Sequence, residues 1–443
     1  MNFINRYKKI SQLKKNVFSG SILSGIDILI TMASYPFYLK YLSAEKYGLW
    51  TIVSVVLSFS QLGQLRIAPA VVKYVAGDYW KKDFRSITEY TTTAFYILTV
   101  PSLVIVCVIF FLKTHISGFL GVKEIFRSDG EQLVFYIGLL SIFSFYVDVL
   151  RSTIVGIGRL DITNTTFFFG RLFQVILGVG LLISGVGIWS LYFGFLFYYV
   201  VPAIVFILIL KYKYRIRIFN IYAYKKQKMK DIFSFSGMLT ISSVAHMLVV
   251  PFNKIIISRY VGLSEVAYYH IAYRLVNAIR STIFKGLEAI LPKFSEIYSK
   301  TVDSVKPLLS IHKKGMLFVI ITAIPLFSII FIFANPILKI WIGKDFHTQI
   351  AVILKVLLIG WLFNILAIPD AFMFMGIGKV RYNVTATSIK AITNVIIIFA
   401  FIFLNIQITL FKIVSIDSIC LIFAVIYFKY KYYQFKRMQP LQQ

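Results

Sequence analysis

The amino-acid sequence predicts an all-α polytopic membrane protein of about twelve transmembrane helices, in two parallel six-helix halves around a central cavity. Three observations carry this. Long apolar runs recur from end to end of the 443 residues: 58% are hydrophobic, 15% are charged and the mean hydropathy is +0.79, a balance that water-soluble domains do not reach. Basic residues collect mainly between these runs. One stretch also occurs twice, roughly half a chain length apart, which is the mark of an internal repeat. Its first copy is Gly156-Ile157-Gly158-Arg159 followed by Asn164 and Arg171, and its second is Gly376-Ile377-Gly378-Lys379 followed by Asn383 and Lys390.

A bilayer is crossed by ~20 apolar residues. On that length the spans fall at 17–40, 47–66, 88–112, 131–155, 162–184, 188–210, 232–257, 265–286, 312–334, 349–372, 382–404 and 407–428. Arg6, Lys8, Lys9, Lys14 and Lys15 precede an apolar run that is too long for a cleaved signal peptide and has no small-residue cleavage site, so 17–40 reads as a retained first span. The segment 211–230 carries Lys211, Lys213, Arg215, Arg217, Lys225, Lys226, Lys228 and Lys230 without an acid, and the C-terminal tail adds Lys429, Lys431, Lys436 and Arg437. Basic loops belong to the cytoplasmic side. Both tails and the linker share that side only if an even number of spans separates them, as six and six do. The loop 67–87 and both Gly-Ile-Gly-basic turns then also lie inside.

The expected organisation is a six-helix lobe at 1–210, a basic cytoplasmic linker at 211–231, and a second lobe with a basic tail at 232–443. Equal halves of six spans point the same way, which makes the repeat parallel and puts any central site between them. Smaller matches agree: Phe18-Ser19-Gly20 with Phe235-Ser236-Gly237, Pro36 with Pro251, and 41–50 (YLSAEKYGLW) with 260–270 (YVGLSEVAYYH).

A charge at the centre of a span costs about 2.5–3.5 kcal/mol on insertion scales, so such residues usually face a bundle interior or a wet cavity. Arg171 lies about nine residues, or ~13 Å, into its span, and Lys390 lies at nearly the same depth in its own. Asn164, Arg171, Gln174 and Gly178 share one helix face, as do Asn383, Thr387, Lys390 and Asn394. The eighth span adds His270, Arg274, Asn277 and Ser281 in one stripe, with Arg280 beside it. These residues suit a cation-lined cavity that binds anions; internal salt bridges and helix-contact networks are the structural alternative. For Arg280 and Lys285 the alternative is a snorkelling interface position. In the first span Gly20, Ser24, Asp27, Thr31 and Ser34 form a further stripe. Asp27, opposite Val244 in the repeat, is an ion-coupling candidate that would carry a proton or help hold Na⁺, or else it pairs with a cavity cation. Asp148 with Arg151, Lys355 and Asp370 complete the set, Asp148 and Asp370 at interface depth.

Several function classes fall away. No phosphate loop, HExxH or dinucleotide fingerprint occurs, and Cys107 and Cys420 lack metal or redox spacing. Neither a cofactor nor a metal site is expected, and the positive charge is a topology signal rather than a nucleic-acid footprint. No inter-span loop is long enough to fold as a domain. The chain reads as a transporter, with no catalytic residues.

Twelve spans in this order, Tyr47-Gly48-Leu49-Trp50 after the first span, Gly-x-Gly-basic turns after the fourth and tenth, and Leu338-Lys339-Ile340-Trp341-Ile342-Gly343 after the ninth resemble the O-antigen flippases. These are polysaccharide-biosynthesis exporters of the multidrug/oligosaccharidyl-lipid/polysaccharide superfamily. The resemblance implies a multidrug-and-toxin-exporter-like fold in the bacterial inner membrane, with both termini cytoplasmic. It also implies alternating access that moves an undecaprenyl-diphosphate-linked oligosaccharide, an O-antigen or capsule repeat unit, to the outer leaflet. A diphosphate with sugars is anionic and hydrated. Arg171, Arg274, Lys390, Arg280 and His270 would anchor it, while Asn164, Gln174, Asn277, Asn383 and Asn394 would bind sugar hydroxyls. Implied partners are membrane lipids, a polysaccharide polymerase and glycosyltransferases, and an H⁺ or Na⁺ gradient is the implied drive. Two other readings stay open: a drug/cation antiporter of the same fold, whose cavity should favour carboxylates, and a membrane polymerase or ligase, which should carry a long outer loop.

Overall fold

The protein is described by a computed structural model covering residues 12, 16, 19–216, 218, 220–247, 249–288, 290–300 and 305–437. Arg6, Lys8, Lys9, Lys14, Lys15 and Arg217 lie outside the described residues, as do the side chains of Ser24 and Val244. The described chain is helical almost throughout, without a strand. Lipid allows an apolar segment little else, because each backbone N–H and C=O must find its partner within the helix. The fold is that of an all-α polytopic membrane protein, and it divides into two compact units, Met1–Val244 and Ala245–Gln443.

The first unit contains α1 (Ser24–Val53), α2 (Ile67–Trp80), α3 (Phe84–Phe119), α4 (Arg127–Gly156), α5 (Leu160–Ile183), α6 (Trp189–Leu208) and most of α7 (Lys226–Met247). Helix α1 is interrupted at Ser43, where φ is 68° and ψ 161°, and this break separates the first expected span from the second. Leu65 and Arg66 are left-handed, and they turn the chain by 47° into α2. The segment 67–80, expected as loop, is thus a helix. Its Ile67, Ala70, Val71 and Val75 follow the i, i+3, i+4, i+8 rhythm of one apolar face and are buried with Ile87, Phe145 and Leu150. On α3, Val100, Leu103, Val104, Phe110 and Phe111 stay exposed, as a lipid-facing surface requires. The linker expected between the halves packs in this unit, with Ile216, Ile218 and Ile232 in its core.

The second unit contains α8 (Val249–Tyr260), α9 (Leu263–Glu288), α10 (Leu291–Lys300), α11 (Val305–Ile332), α12 (Ala334–Ile342), α13 (Thr348–Leu366), α14 (Ile368–Gly376), α15 (Arg381–Phe403) and α16 (Leu410–Arg437). Gly360 lets α13 approach α16 closely: a Cβ there would lie 2.6 Å from Ser418 Cα. The tenth expected span is divided between α13 and α14, with Pro369 in the first turn of α14, where its missing N–H breaks no helical bond.

The duplicated Gly-Ile-Gly-basic turns are helix terminators. Gly158 and Gly378 have φ of 83° and 77°, a left-handed conformation that favours glycine. The bond pattern is the same twice. Gly158 N–H donates to Val155 O and Arg159 N–H to Ile154 O; Gly378 N–H donates to Met375 O and Lys379 N–H to Phe374 O. This is the Schellman closure of a helix C-terminus.

Eight helices among the described residues are long and apolar enough to cross a membrane, or nine if the bent α1–α2 pair is counted as one. Each of the twelve expected spans overlaps a helix, but the seventh and eighth do not reach that apolarity. Asn253 and Lys254 on α8, and His270, Arg274 and Arg280 on α9, dilute them.

Candidate functional site

In the first unit Arg171 is held from three sides. Its Nε lies 3.1 Å from Asp27 Oδ1 on α1, its Nη1 donates to Gln174 Oε1 at 2.6 Å, and its guanidinium sits 4.3 Å from the centre of the Tyr198 ring on α6. Of the two readings that the sequence leaves open for Asp27, the ion pair is the one present. Beside this pair is a cavity of about 310 Å³, lined by Asp27, Asp148, Arg151, Asn164, Tyr198 and neighbouring apolar groups. Asn164 Nδ2 donates to Ser19 Oγ at 3.2 Å, and Gln64 Nε2 to Asp148 Oδ2 at 2.8 Å. Arg171 and Gln174 stand behind the wall of this cavity rather than on it.

The second unit holds a larger cavity of about 460 Å³. Its polar lining is Asn277, Arg280, Asn364, Asn383, Thr387 and Lys390; Tyr273, Phe284, Trp361 and Phe428 supply aromatic surface, and among the described residues no carboxylate lines it. Lys390 Nζ lies 3.0 Å from Asp417 Oδ1 on α16. The contact is electrostatic, off the angle of a hydrogen bond, and Asp417 is wholly buried. Lys390 also faces the Trp361 ring at 5.2 Å. Arg280 donates from Nε to Asn364 Oδ1 at 3.2 Å and lies 5.3 Å from the Trp361 ring. Among the described residues no carboxylate comes within ion-pair distance of Arg280, which makes it the uncompensated cation of this cavity. Arg280 lines the cavity directly.

The other expected residues separate. Asn383 lines the cavity while its Nδ2 donates to Ala371 O at 3.1 Å. His270 and Arg274 do not line it, and His270 Nδ1 sits 2.8 Å from Lys254 Nζ. Asn394 is fully buried off the cavity, with both polar atoms of its side chain lacking a partner among the described residues. Asp148, taken as an interface residue, lines the first cavity with Arg151. Asp370 is buried and bridges His312 Nε2 at 2.7 Å and Lys429 Nζ at 2.6 Å, so it ties α14 to α11 and α16. Asp417, Trp361, Asn364 and Tyr198 were not singled out from the sequence. Asp417 carried a signal: it is a lone acid well inside an apolar run, the criterion that finds Arg171.

At the first Gly-basic turn Arg159 makes a bidentate pair with Asp161, both contacts at 2.9 Å. These hydrogen bonds push the Arg159 guanidinium above its ordinary range. Gln12 Nε2 reaches the same carboxylate at 2.8 Å, and Asn16 Nδ2 donates to Gly158 O at 3.1 Å. The repeat's turn is a structural lock, and the polar chemistry lies downstream of it.

A lipid-facing helical body with polar cavities in each unit is the architecture of a polytopic membrane protein, and the proteins it resembles are named as transporters and flippases. Over residues 40–351 the chain matches the family described as polysaccharide biosynthesis protein, and it belongs to that family. It is 23% identical over 357 residues to a Shigella flexneri protein named "Putative O-antigen transporter", covering 80% of this chain and 82% of that one. Its fold is similar to that of the lipid II flippase MurJ in an inward closed conformation, with a TM-score of 0.71 at 17% identity over 93% of this chain and 88% of that one. It is also similar to the inward-facing form of a multidrug resistance MATE transporter of the MOP superfamily, with a TM-score of 0.69 at 15% identity over 97% and 96% of the two chains. The multidrug-and-toxin-exporter-like fold expected from the sequence is the one present.

Proposed function

We propose that the protein is a flippase for an undecaprenyl-diphosphate-linked oligosaccharide, an O-antigen or capsule repeat unit. It would carry this lipid from the cytoplasmic to the outer leaflet of the bacterial inner membrane by alternating access, with both termini cytoplasmic. The observation that carries the reading is the cavity of the second unit, where Arg280 and Lys390 face a space without acidic lining. A guanidinium matches phosphate oxygens in a planar fork, and hydrogen bonds to charged groups are worth roughly 1.5–3 kcal/mol each. Asn277, Asn364 and Asn383 supply donors and acceptors for sugar hydroxyls, and Trp361 gives a stacking surface. A cavity for cationic drugs would be served by carboxylates instead. In the first unit Arg151 and Asn164 offer a second polar foothold.

Asp27 is the coupling candidate in this scheme. Its side chain is 34% exposed beside a wet cavity, and taking up H⁺ or Na⁺ there would release Arg171. A polysaccharide polymerase and glycosyltransferases are the partners that such a substrate requires.

The test uses cells that display the polysaccharide. Arg280→Gln with Lys390→Gln, combined with Asp417→Asn so that no buried carboxylate is stranded, should leave the protein inserted at normal levels and reduce surface glycan by about tenfold or more, the loss expected from two charge-assisted contacts. Normal surface glycan from a well-inserted triple variant would overturn the reading.

A further inference from the structure

We propose that the first unit carries a separate pocket for the phosphate of an anionic phospholipid headgroup, at the face that the basic loops assign to the cytoplasm. A cavity of about 470 Å³ lies between the first turns of α3 and the segment 215–225. Arg85 and Thr88 line it from α3; Arg215, Asn220, Tyr222 and Lys225 line it from the linker. Glu89 is the one acid on the wall, and its Oε1 lies 3.5 Å from Arg85 Nε. Among the described residues Arg215 and Lys225 have no carboxylate within ion-pair distance. The pocket therefore presents two uncompensated cations, with a hydroxyl and an amide beside them.

The wall is built rather than draped. Ile216 and Ile218 are buried, Ile216 N–H donates to Leu210 O at 2.9 Å, and Lys225 N–H donates to Thr93 Oγ1 at 3.2 Å. Lys228 Nζ reaches Ser86 Oγ at 2.5 Å. Arg215, at a left-handed φ of 55°, is turned outward while Ile216 next to it is turned in. Positive-inside bias accounts for cations on this face. It does not account for a fixed cavity with mixed polar lining.

The surrounding aromatics favour a lipid over a soluble anion. Tyr222 on the pocket wall is 94% exposed, and Trp80, four residues before Phe84 of the wall, is 87% exposed. Rings with one apolar and one polar end are at home at headgroup level. Helix α3 has 36 residues and so runs about 54 Å, well beyond a hydrocarbon core of about 30 Å. The span expected on α3 starts at residue 88, so Phe84 and Arg85 on the pocket wall precede that span. Basic pockets at the cytoplasmic ends of spans are a known way to hold anionic headgroups.

The test uses the full chain purified in phosphatidylcholine nanodiscs, with cardiolipin added and bound lipid counted by native mass spectrometry. The pocket variant is Arg85→Gln, Arg215→Gln and Lys225→Gln. The control is Lys211→Gln, Lys213→Gln and Lys226→Gln, which removes as many charges, all of them from the linker and outside the pocket. Cardiolipin retention should fall about tenfold in the pocket variant and stay near the parent level in the control, with both variants eluting as the parent does on size exclusion. Should the pocket variant misassemble, Arg85→Lys with Arg215→Lys keeps the charge but loses the fork, and it should show intermediate retention. Equal losses in pocket variant and control, or no loss in either, would overturn the assignment. So would inorganic pyrophosphate stabilising the parent through the same three residues as strongly as cardiolipin does, since that would make the pocket a soluble-phosphate site.

Discussion

At the scale of single residues, the two mid-span cations are each supplied with an acid. Arg171 has Asp27 and Lys390 has Asp417, on helices that do not correspond in the repeat. The net charge offered to a ligand in the second cavity therefore comes chiefly from Arg280. Removing Asp417 strands a lysine whose side chain is 13% exposed. Asp417→Ala should cost roughly 3–5 kcal/mol, the usual penalty for breaking a buried pair from one side, seen as a lower unfolding midpoint in detergent. Lys390→Met with Asp417→Leu should recover most of that loss, because replacing both partners leaves no orphaned charge. A double variant as unstable as Asp417→Ala would show that the pair is not what holds these helices. Arg171 and Lys390 were legible in the sequence because charge in an apolar run is costly and therefore conspicuous. Which acid answers each of them was not, since pairing across 144 residues depends on helix packing rather than on local pattern.

At the scale of helices, the repeated Gly-x-Gly-basic stretch was legible as a duplication but not as a helix stop. Only the left-handed φ at Gly158 and Gly378 shows that the glycines end α4 and α14. The loop 67–87 was misjudged for a related reason: α2, with 14 residues, is too short for a span, yet its buried face is regular. Close packing is the other property that sequence conceals. The glycine at 360 reads like any other until Ser418 is seen against it. Gly360→Ala should destabilise the second unit by about 1–3 kcal/mol through overpacking. Gly180→Ala, with open space around it on α5, should be neutral or slightly stabilising. Thermal unfolding of the two variants side by side separates these outcomes, and equal midpoints would refute close packing at Gly360.

At the scale of the whole molecule, composition and charge spacing were enough for the fold class. They were enough because lipid solvation permits so few architectures. The count of spans was less secure, since four of the twelve expected runs do not stand as separate apolar spans: the first two fall in one bent pair, and the seventh and eighth are not apolar enough. The proposed orientation is directly measurable. In a Cys107→Ser and Cys420→Ser background, Tyr222→Cys should react with a membrane-impermeant maleimide only after the cells are opened. Labelling of intact cells would invert the topology.

The two ion pairs also bear on how the chain is made. Asp27 is synthesised long before Arg171, so α5 meets its counter-charge already in place as it leaves the ribosome. Lys390 comes before Asp417, and only residues 404–409 separate α15 from α16. A lone lysine at mid-bilayer costs about 2.5–3.5 kcal/mol on insertion scales, so α15 is most stable if it waits at the translocon and enters with α16 as a hairpin. The first half must carry Asp27 without its partner until α5 arrives, whereas the end of the second half is best served by entering as a pair.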